Sequence, residues 1–129
     1  MSSTCTECSD AGVTLYRKRN KTIRVTLTGP SDITGAKIWF SVKQEGEDAD
    51  ADALITKKSL NNGGTDQQAM VIDGPGGILE VYILPADTEN MEAGSYVYDI
   101  VIELAGADPR RLEAVPPSLF QILQPVTLT

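Results

Sequence analysis

The sequence predicts an all-β protein, built as a sandwich of two packed sheets. From Val13 onward, short segments alternate apolar and polar residues, and turn-forming residues separate them at regular spacing. No segment of useful length shows the apolar period of a helix. Aromatic residues make up only 5% of the chain, so we expect a core formed mainly by Val, Ile and Leu side chains.

The length and composition indicate one domain. The chain has 129 residues, 41% hydrophobic and 22% charged, which is enough to bury a core without disulfides or metals. Residues 1–12 are small and polar, and we expect them to form a flexible N-terminal arm. The single sandwich domain then covers residues 13–129.

The predicted strands follow from alternation and turn signals along the chain. In residues 22–28 the aliphatic side chains share one face, which indicates one buried and one solvated face. Glycines in residues 61–64 and 73–77 supply the positive φ angles of tight turns. The predicted strands are residues 13–17, 22–28, 36–43, 53–58, 67–72, 78–84, 95–104, 110–114 and 118–123.

The segment that connects two of these strands decides the architecture. Pro85 suits the first turn of a short helix over residues 85–91, and the next strand begins at a glycine and carries Tyr96 and Tyr98. In sandwiches such a corner crosses between the sheets, and a tyrosine hydroxyl fixes it. We therefore predict an immunoglobulin-like β-sandwich of about seven to nine antiparallel strands. A jelly roll or small barrel is the alternative, because alternation does not fix strand order.

Charge and hydropathy restrict the partners. The net charge of −7 argues against nucleic acid and anionic membranes, since both bind concentrated positive surfaces. The longest apolar runs are far below the roughly 20 residues that span a bilayer. No basic and apolar leader opens the chain, so we expect synthesis in the cytoplasm. One local cluster of cations is either a solvated strand face or a contact for an acidic partner: Arg17, Lys18, Arg19, Lys21 and Arg24.

The chain contains no histidine. This removes the commonest general base, the commonest metal ligand and every Ser-His or Cys-His nucleophile. We therefore expect no enzyme activity, no catalytic residue and no cofactor.

Two segments are weak candidates for metal binding. Cys5 and Cys8 form a C-x-x-C pair, but a tetrahedral zinc site needs four ligands. We interpret the two cysteines either as a mobile thiol pair or as part of a metal site or disulfide that is shared between subunits. Asp48, Asp50 and Asp52 alternate like the start of a calcium loop, but the glycine and glutamate that such a loop requires are missing. We interpret them as a solvated acidic loop, with weak cation binding as the alternative.

Trp39 is the candidate anchor of a protein interface. The apolar face of its strand carries Ala36, Ile38, Phe40 and Val42, so Trp39 points away from the core. It lies either under a neighbouring loop or exposed, and an exposed tryptophan suits an interface.

Two stretches of this sequence resemble a known family. Residues 33–42 (ITGAKIWFSV) and 77–88 (GILEVYILPADT), continuing to AGSYVYDI at 93–100, resemble immunoglobulin-like domains of tailed-phage structural proteins. They are similar to the N-terminal domain of phage baseplate upper proteins, and the likeness covers most of residues 13–129, including Val126 and Thr127.

The resemblance implies a scaffold or adaptor role in a virion: baseplate or tail, head–tail adaptor, or capsid decoration. The implied partners are other phage structural proteins and further copies of this chain in a homo-oligomer or symmetric assembly, made in the bacterial host cytoplasm. On this interpretation Trp39, the basic residues Arg17, Lys18, Arg19 and Arg24, and the N-terminal arm make contacts. The alternative function is a carbohydrate- or cell-surface-binding sandwich, with calcium at Asp48–Asp52 as an option.

Overall fold

Nine strands in two facing sheets form most of the described chain. The computed structural model describes residues 2–3, 12–27, 32–45, 53–64, 68–105 and 111–125. The four-stranded sheet has the order β1-β3-β7-β6 and contains β1 (Ser2–Ser3), β3 (Lys21–Thr26), β6 (Ala69–Asp73) and β7 (Ile78–Ile83). The five-stranded sheet has the order β2-β9-β8-β4-β5 and contains β2 (Val13–Tyr16), β4 (Lys37–Lys43), β5 (Ile55–Lys58), β8 (Gly94–Glu103) and β9 (Arg111–Leu123). A 3₁₀ helix, Leu60–Asn62, follows β5, and the one-turn helix α1, Pro85–Thr88, follows β7.

The strand order is that of an immunoglobulin sandwich. With the strands lettered along the chain, β3-β7-β6 is the B-E-D order and β9-β8-β4 is the G-F-C order of that fold. Strand β5 extends the second sheet next to β4, as an additional strand does in variable-type domains. The prediction of an all-β sandwich is therefore confirmed, and the strand order excludes the jelly roll and the barrel.

Two strand pairs depart from the predicted antiparallel pattern. Strand β1 pairs parallel with β3, and β2 pairs parallel with β9. Strand β2 thus joins the last strand of the chain and not its sequence neighbour, so no hairpin fixes an antiparallel direction. Strand β1 belongs to the predicted N-terminal arm, and residues 4–11 of that arm lie outside the described residues. Its flexibility stays a prediction.

The last two predicted strands, residues 110–114 and 118–123, are one strand. Pro116 and Pro117 lie inside β9, where they lack the N–H that a central strand needs. Strand β2 pairs only with Phe120–Leu123, so β9 has no neighbour on that side at the prolines among the described residues. On the other side, the register with β8 shifts between Tyr98 and Val101. The prolines are tolerated because they lie at this irregular, edge-like stretch.

The core fills the space between the sheets with one face of each strand. Ile38, Phe40 and Val42 of β4 are fully buried, as the alternation predicts. At its centre, Phe40, Tyr98 and Phe120 contact one another with ring centroids 5.8 to 6.3 Å apart. Burial raises the pKa of Tyr98 to about 12. The centre is therefore aromatic, although most of the core is aliphatic as expected.

The predicted helical corner is present. Helix α1 begins at Pro85, and the Asp87 carboxylate accepts the backbone N–H of Leu84 at 2.7 Å. The hydroxyl of Tyr96 donates to the carbonyl of Glu92 at 2.7 Å. This is the tyrosine corner of immunoglobulin-like sandwiches, and it fixes the crossing from β7 to β8.

A buried lysine connects the second sheet to this corner. Lys57 points inward from β5 and is only 6% exposed. Its ammonium group forms an ion pair with Asp87 at 2.6 Å and donates to the side-chain oxygen of Gln68. Lys57 is thus satisfied by two polar partners from the opposite side of the sandwich.

Candidate docking surface

The predicted basic cluster is divided between two places in the fold. Arg17 lies in the turn after β2, and its guanidinium donates to the backbone carbonyls of Met91 (2.9 Å) and Glu89. Lys18 has a positive φ of 62°, and its backbone N–H donates to the hydroxyl of the buried Thr88 at 2.8 Å. Arg17 and Lys18 therefore hold the β2–β3 turn against the corner, which is a structural role.

Arg24 lies elsewhere, on the outer face of the four-stranded sheet. Its guanidinium forms an ion pair with Glu80 at 2.9 Å. The Tyr82 hydroxyl also donates to Glu80, and this hydrogen bond, followed by Arg24, lowers the pKa of the Glu80 carboxyl. The fourth candidate, Arg19, is half-buried and donates to the carbonyl of Lys18. The part of these four residues in an interface stays a prediction.

Trp39 lies on the outer face of the five-stranded sheet and is half-buried. Among the described residues, the side chain of Arg111 covers it: the guanidinium lies 4.8 Å from the ring centroid. Glu103 holds Arg111 in this place through an ion pair of 3.0 Å. One face of the indole is therefore already in use, which makes it a poor stacking platform for a sugar.

The metal candidates cannot be placed. Cys5, Cys8, Asp48, Asp50 and Asp52 all lie outside the described residues. Within the described ranges, no three His, Cys, Asp or Glu side chains come together in a way that could hold a metal ion. Within those same ranges, no helix is long and apolar enough to cross a membrane.

Four apolar side chains lie in two pairs on the outer face of the five-stranded sheet, on either side of the polar row Thr14, Gln121 and Ser95. Tyr16 and Leu119 are 52% and 48% exposed, and Val97 and Leu123 are half-buried. The strand register brings Tyr16 next to Leu123 and Val97 next to Leu119. We call these four residues the outer stripe. Exposed apolar side chains that lie near one another are candidates for an interaction site.

The outer stripe was not predicted, although the sequence carries a signal for it. In residues 118–123, Leu119 and Leu123 alternate with Phe120 and Ile122, so both faces of this strand are apolar. One face packs into the core, and the other needs a separate explanation. The neighbouring strands that bring Tyr16 and Val97 beside it could not be inferred from alternation.

Beside the outer stripe lie two carboxyl side chains. Asp99 of β8 and Glu113 of β9 are diagonal neighbours on the outer sheet face, because Glu113 lies opposite Val101. Partial burial, then the Asp99 hydrogen bond and the Asp99 charge, raise the pKa of Glu113 to about 7. The sequence does not predict this pair, because it depends on the register between β8 and β9, and residues 106–110 between them lie outside the described residues.

Comparisons with known proteins give likenesses in structure and none in sequence. No protein-family model matches the chain, and no curated protein matches it in sequence. The structure is similar to the N-terminal domain of phage TP901-1 ORF48, with a TM-score of 0.48 and 10% sequence identity. The likeness covers 95% of this chain and 93% of that one. The predicted likeness to a phage protein domain is confirmed, and at this TM-score it assigns no function.

Proposed function

We propose that this chain is a non-enzymatic structural protein of a phage virion, which docks onto other virion proteins through the outer face of its five-stranded sheet. The outer stripe is the observation that carries the proposal. The sequence resemblance described above supplies the class of particle.

Tyr16 is the residue of the outer stripe that best suits an interface centre, because tyrosine is enriched there. Thr14, Ser95 and Gln121 form a polar row between the two apolar pairs of the stripe. Fully burying one large apolar side chain stabilises a complex by about 1.5–3 kcal/mol. Since Tyr16 and Leu119 are each about half exposed, covering them contributes on the order of 1 kcal/mol apiece.

The partners are other structural proteins of the particle, with further copies of this chain in a symmetric arrangement. Most assemblies of identical subunits are closed and symmetric. Several weak contacts made at the same time in one particle give a higher overall affinity than each contact alone. The position in the particle is a baseplate or tail site, a head–tail junction or the capsid surface.

Gold-labelled antibody electron microscopy on particles from the source tests this function. We expect label on intact particles, at the tail end for a baseplate or adaptor part and over the head for a decoration protein. Absence of label from particles, with the protein present in the producing cell, would contradict the proposal.

A further inference from the structure

Half of the backbone groups of β2 face away from the rest of its sheet. Strand β2 lies at one edge of the five-stranded sheet, and its only partner among the described strands is β9. The backbone N–H of Arg17 donates to the carbonyl of Leu123, and the backbone groups of successive residues alternate between the two sides of a strand. The N–H and C=O groups of Thr14 and Tyr16 therefore point away from β9, to the side where no described strand lies.

The other edges formed by the described strands carry features that hinder the addition of a strand. The four-stranded sheet ends in β1, which has only two residues, and in β6, whose register shifts before its final aspartate. Strand β5 carries one inward and one outward lysine, Lys57 and Lys58. Very short strands, charged residues and bulges protect sheet edges from pairing. Strand β2, Val13–Tyr16, has no charged residue, no proline and no shift of register, so its edge is open to a further strand.

We propose that β2 pairs antiparallel with β2 of a second copy of this chain, so that their five-stranded sheets join into one. A two-fold axis at Leu15 places Thr14 of each copy opposite Tyr16 of the other. The outward N–H and C=O groups of these two residues then form four hydrogen bonds between the copies. The side chains match as well, because Thr14 and Tyr16 are both exposed on the outer face, whereas Leu15 faces the core. The strand is therefore complementary to itself, as a two-fold interface requires.

The distribution of charge along the sequence favours this partner and this direction. Glu7 and Asp10 precede β2 in the sequence, and Arg17, Lys18 and Arg19 follow it. Antiparallel pairing places the start of β2 in one copy beside its end in the other, so the acidic and basic stretches attract each other. Parallel pairing would place stretches of like charge side by side, which costs free energy.

The pairing also enlarges the docking surface, and this step rests on the proposed function. Tyr16 lies beside Leu123 on the outer face of the sheet. In the pair, Tyr16 of one copy and Tyr16 of the other are diagonal neighbours, and aromatic side chains reach one another over that separation. The outer stripes of the two copies therefore lie on one continuous sheet, and a virion protein docks on both at once.

Sedimentation velocity of the isolated chain, over a range of concentrations, tests the pairing. A reducing agent keeps Cys5 and Cys8 from linking copies through a disulfide, and we expect a species of twice the chain mass that increases with concentration. Thr14→Pro removes the outward N–H and leaves the hydrogen bonds between β2 and β9, since proline is tolerated where the N–H faces out of an edge strand.

We expect Thr14→Pro to raise the dissociation constant by about tenfold or more, because two of the four hydrogen bonds between the copies are lost. Thr56→Pro is the matched control on β5, at the other edge of the same sheet. The N–H of Ser59 donates to the carbonyl of Ile38 in β4, so by the same alternation the N–H of Thr56 also faces outward. This control should leave the dissociation constant unchanged.

Amide hydrogen exchange followed by NMR is the second measurement, and it needs no variant that has to fold. Exchange at Thr14 and Tyr16 should slow as the concentration of the chain rises, because pairing protects these N–H groups, and exchange at Thr56 and Lys58 should not change. The mass of a single chain at every concentration, equal dissociation constants of the two proline variants, or unchanged exchange at Thr14 and Tyr16 would overturn the pairing. Both measurements use the isolated chain, so their failure leaves the docking proposal standing. Absence of the chain from particles leaves the pairing standing in turn.

Discussion

The hydroxyl group of Tyr96 makes the central hydrogen bond of the corner. Its ring is buried, and its hydroxyl reaches the carbonyl of Glu92 four residues earlier. The contact closes the loop between α1 and β8, to which Arg17 adds two further hydrogen bonds from the β2–β3 turn. The corner is thus held from both ends, and a local sequence motif was sufficient to predict its central contact.

Tyr96→Phe should lower the free energy of unfolding by about 1 kcal/mol, the usual net contribution of one hydrogen bond. The ring remains in place, so only the hydrogen bond to Glu92 is lost. Urea unfolding monitored by circular dichroism measures the change. Tyr16→Phe, which removes an exposed hydroxyl, is the matched control and should have almost no effect. Equal effects of the two substitutions would show that the corner hydroxyl contributes nothing.

At the scale of elements, the sequence predicts which face of a strand is buried but not which strand lies beside it. Alternation identified β3, β4, β7 and β8 because each has one apolar face. It could not predict that β2 pairs with β9, since partner choice depends on contacts over more than a hundred residues. The place of Tyr16 beside Leu123 in the outer stripe arises from this pairing, and it was missed for that reason.

The ion pair between Lys57 and Asp87 connects β5 to the corner. Replacing one or the other of these two residues should lower the free energy of unfolding by different amounts. Asp87→Asn leaves the ammonium of Lys57 buried without its counter-charge, which typically costs about 3–5 kcal/mol. Lys57→Met removes the buried charge and keeps an apolar stem of similar length. It leaves Asp87, whose side chain is 20% exposed and still bonded to Leu84, in contact with water.

We therefore expect Asp87→Asn to destabilise the chain more than Lys57→Met, and the double substitution to recover part of the loss. Urea unfolding of the three variants at one pH measures this. A larger loss for Lys57→Met than for Asp87→Asn would show that the lysine contributes by its charge and not by filling space.

For the whole molecule, the two sheets differ on their outer faces. The four-stranded sheet carries the Arg24–Glu80–Tyr82 network, in which each polar group has a partner within the chain. The five-stranded sheet carries the exposed apolar side chains of the outer stripe. We therefore propose that docking uses the outer face of the five-stranded sheet. The predicted anchors Trp39 and Arg17 already make contacts within the fold, so the stripe is the better candidate for the centre of the interface.

The measurement that tests this claim most directly is the incorporation of two matched variants into particles. Leu119→Asp places a charge in the outer stripe, and Leu60→Asp places the same charge on the 3₁₀ helix. The two leucines are 48% and 49% exposed, so the substitutions are alike in chemistry and in the exposure of the residue they replace. The two sites lie near opposite ends of β4. Asn61 of the 3₁₀ helix donates a hydrogen bond to the carbonyl of Gly35, just before β4 begins, and Val97 of the stripe lies opposite the last residue of β4.

With both variants folded, as judged by their urea midpoints, we predict that purified particles retain Leu60→Asp at the level of the unchanged chain. We predict that they lose Leu119→Asp by tenfold or more, which corresponds to about 1.4 kcal/mol of docking free energy. Equal retention of the two variants would contradict the assignment of docking to the outer face of the five-stranded sheet.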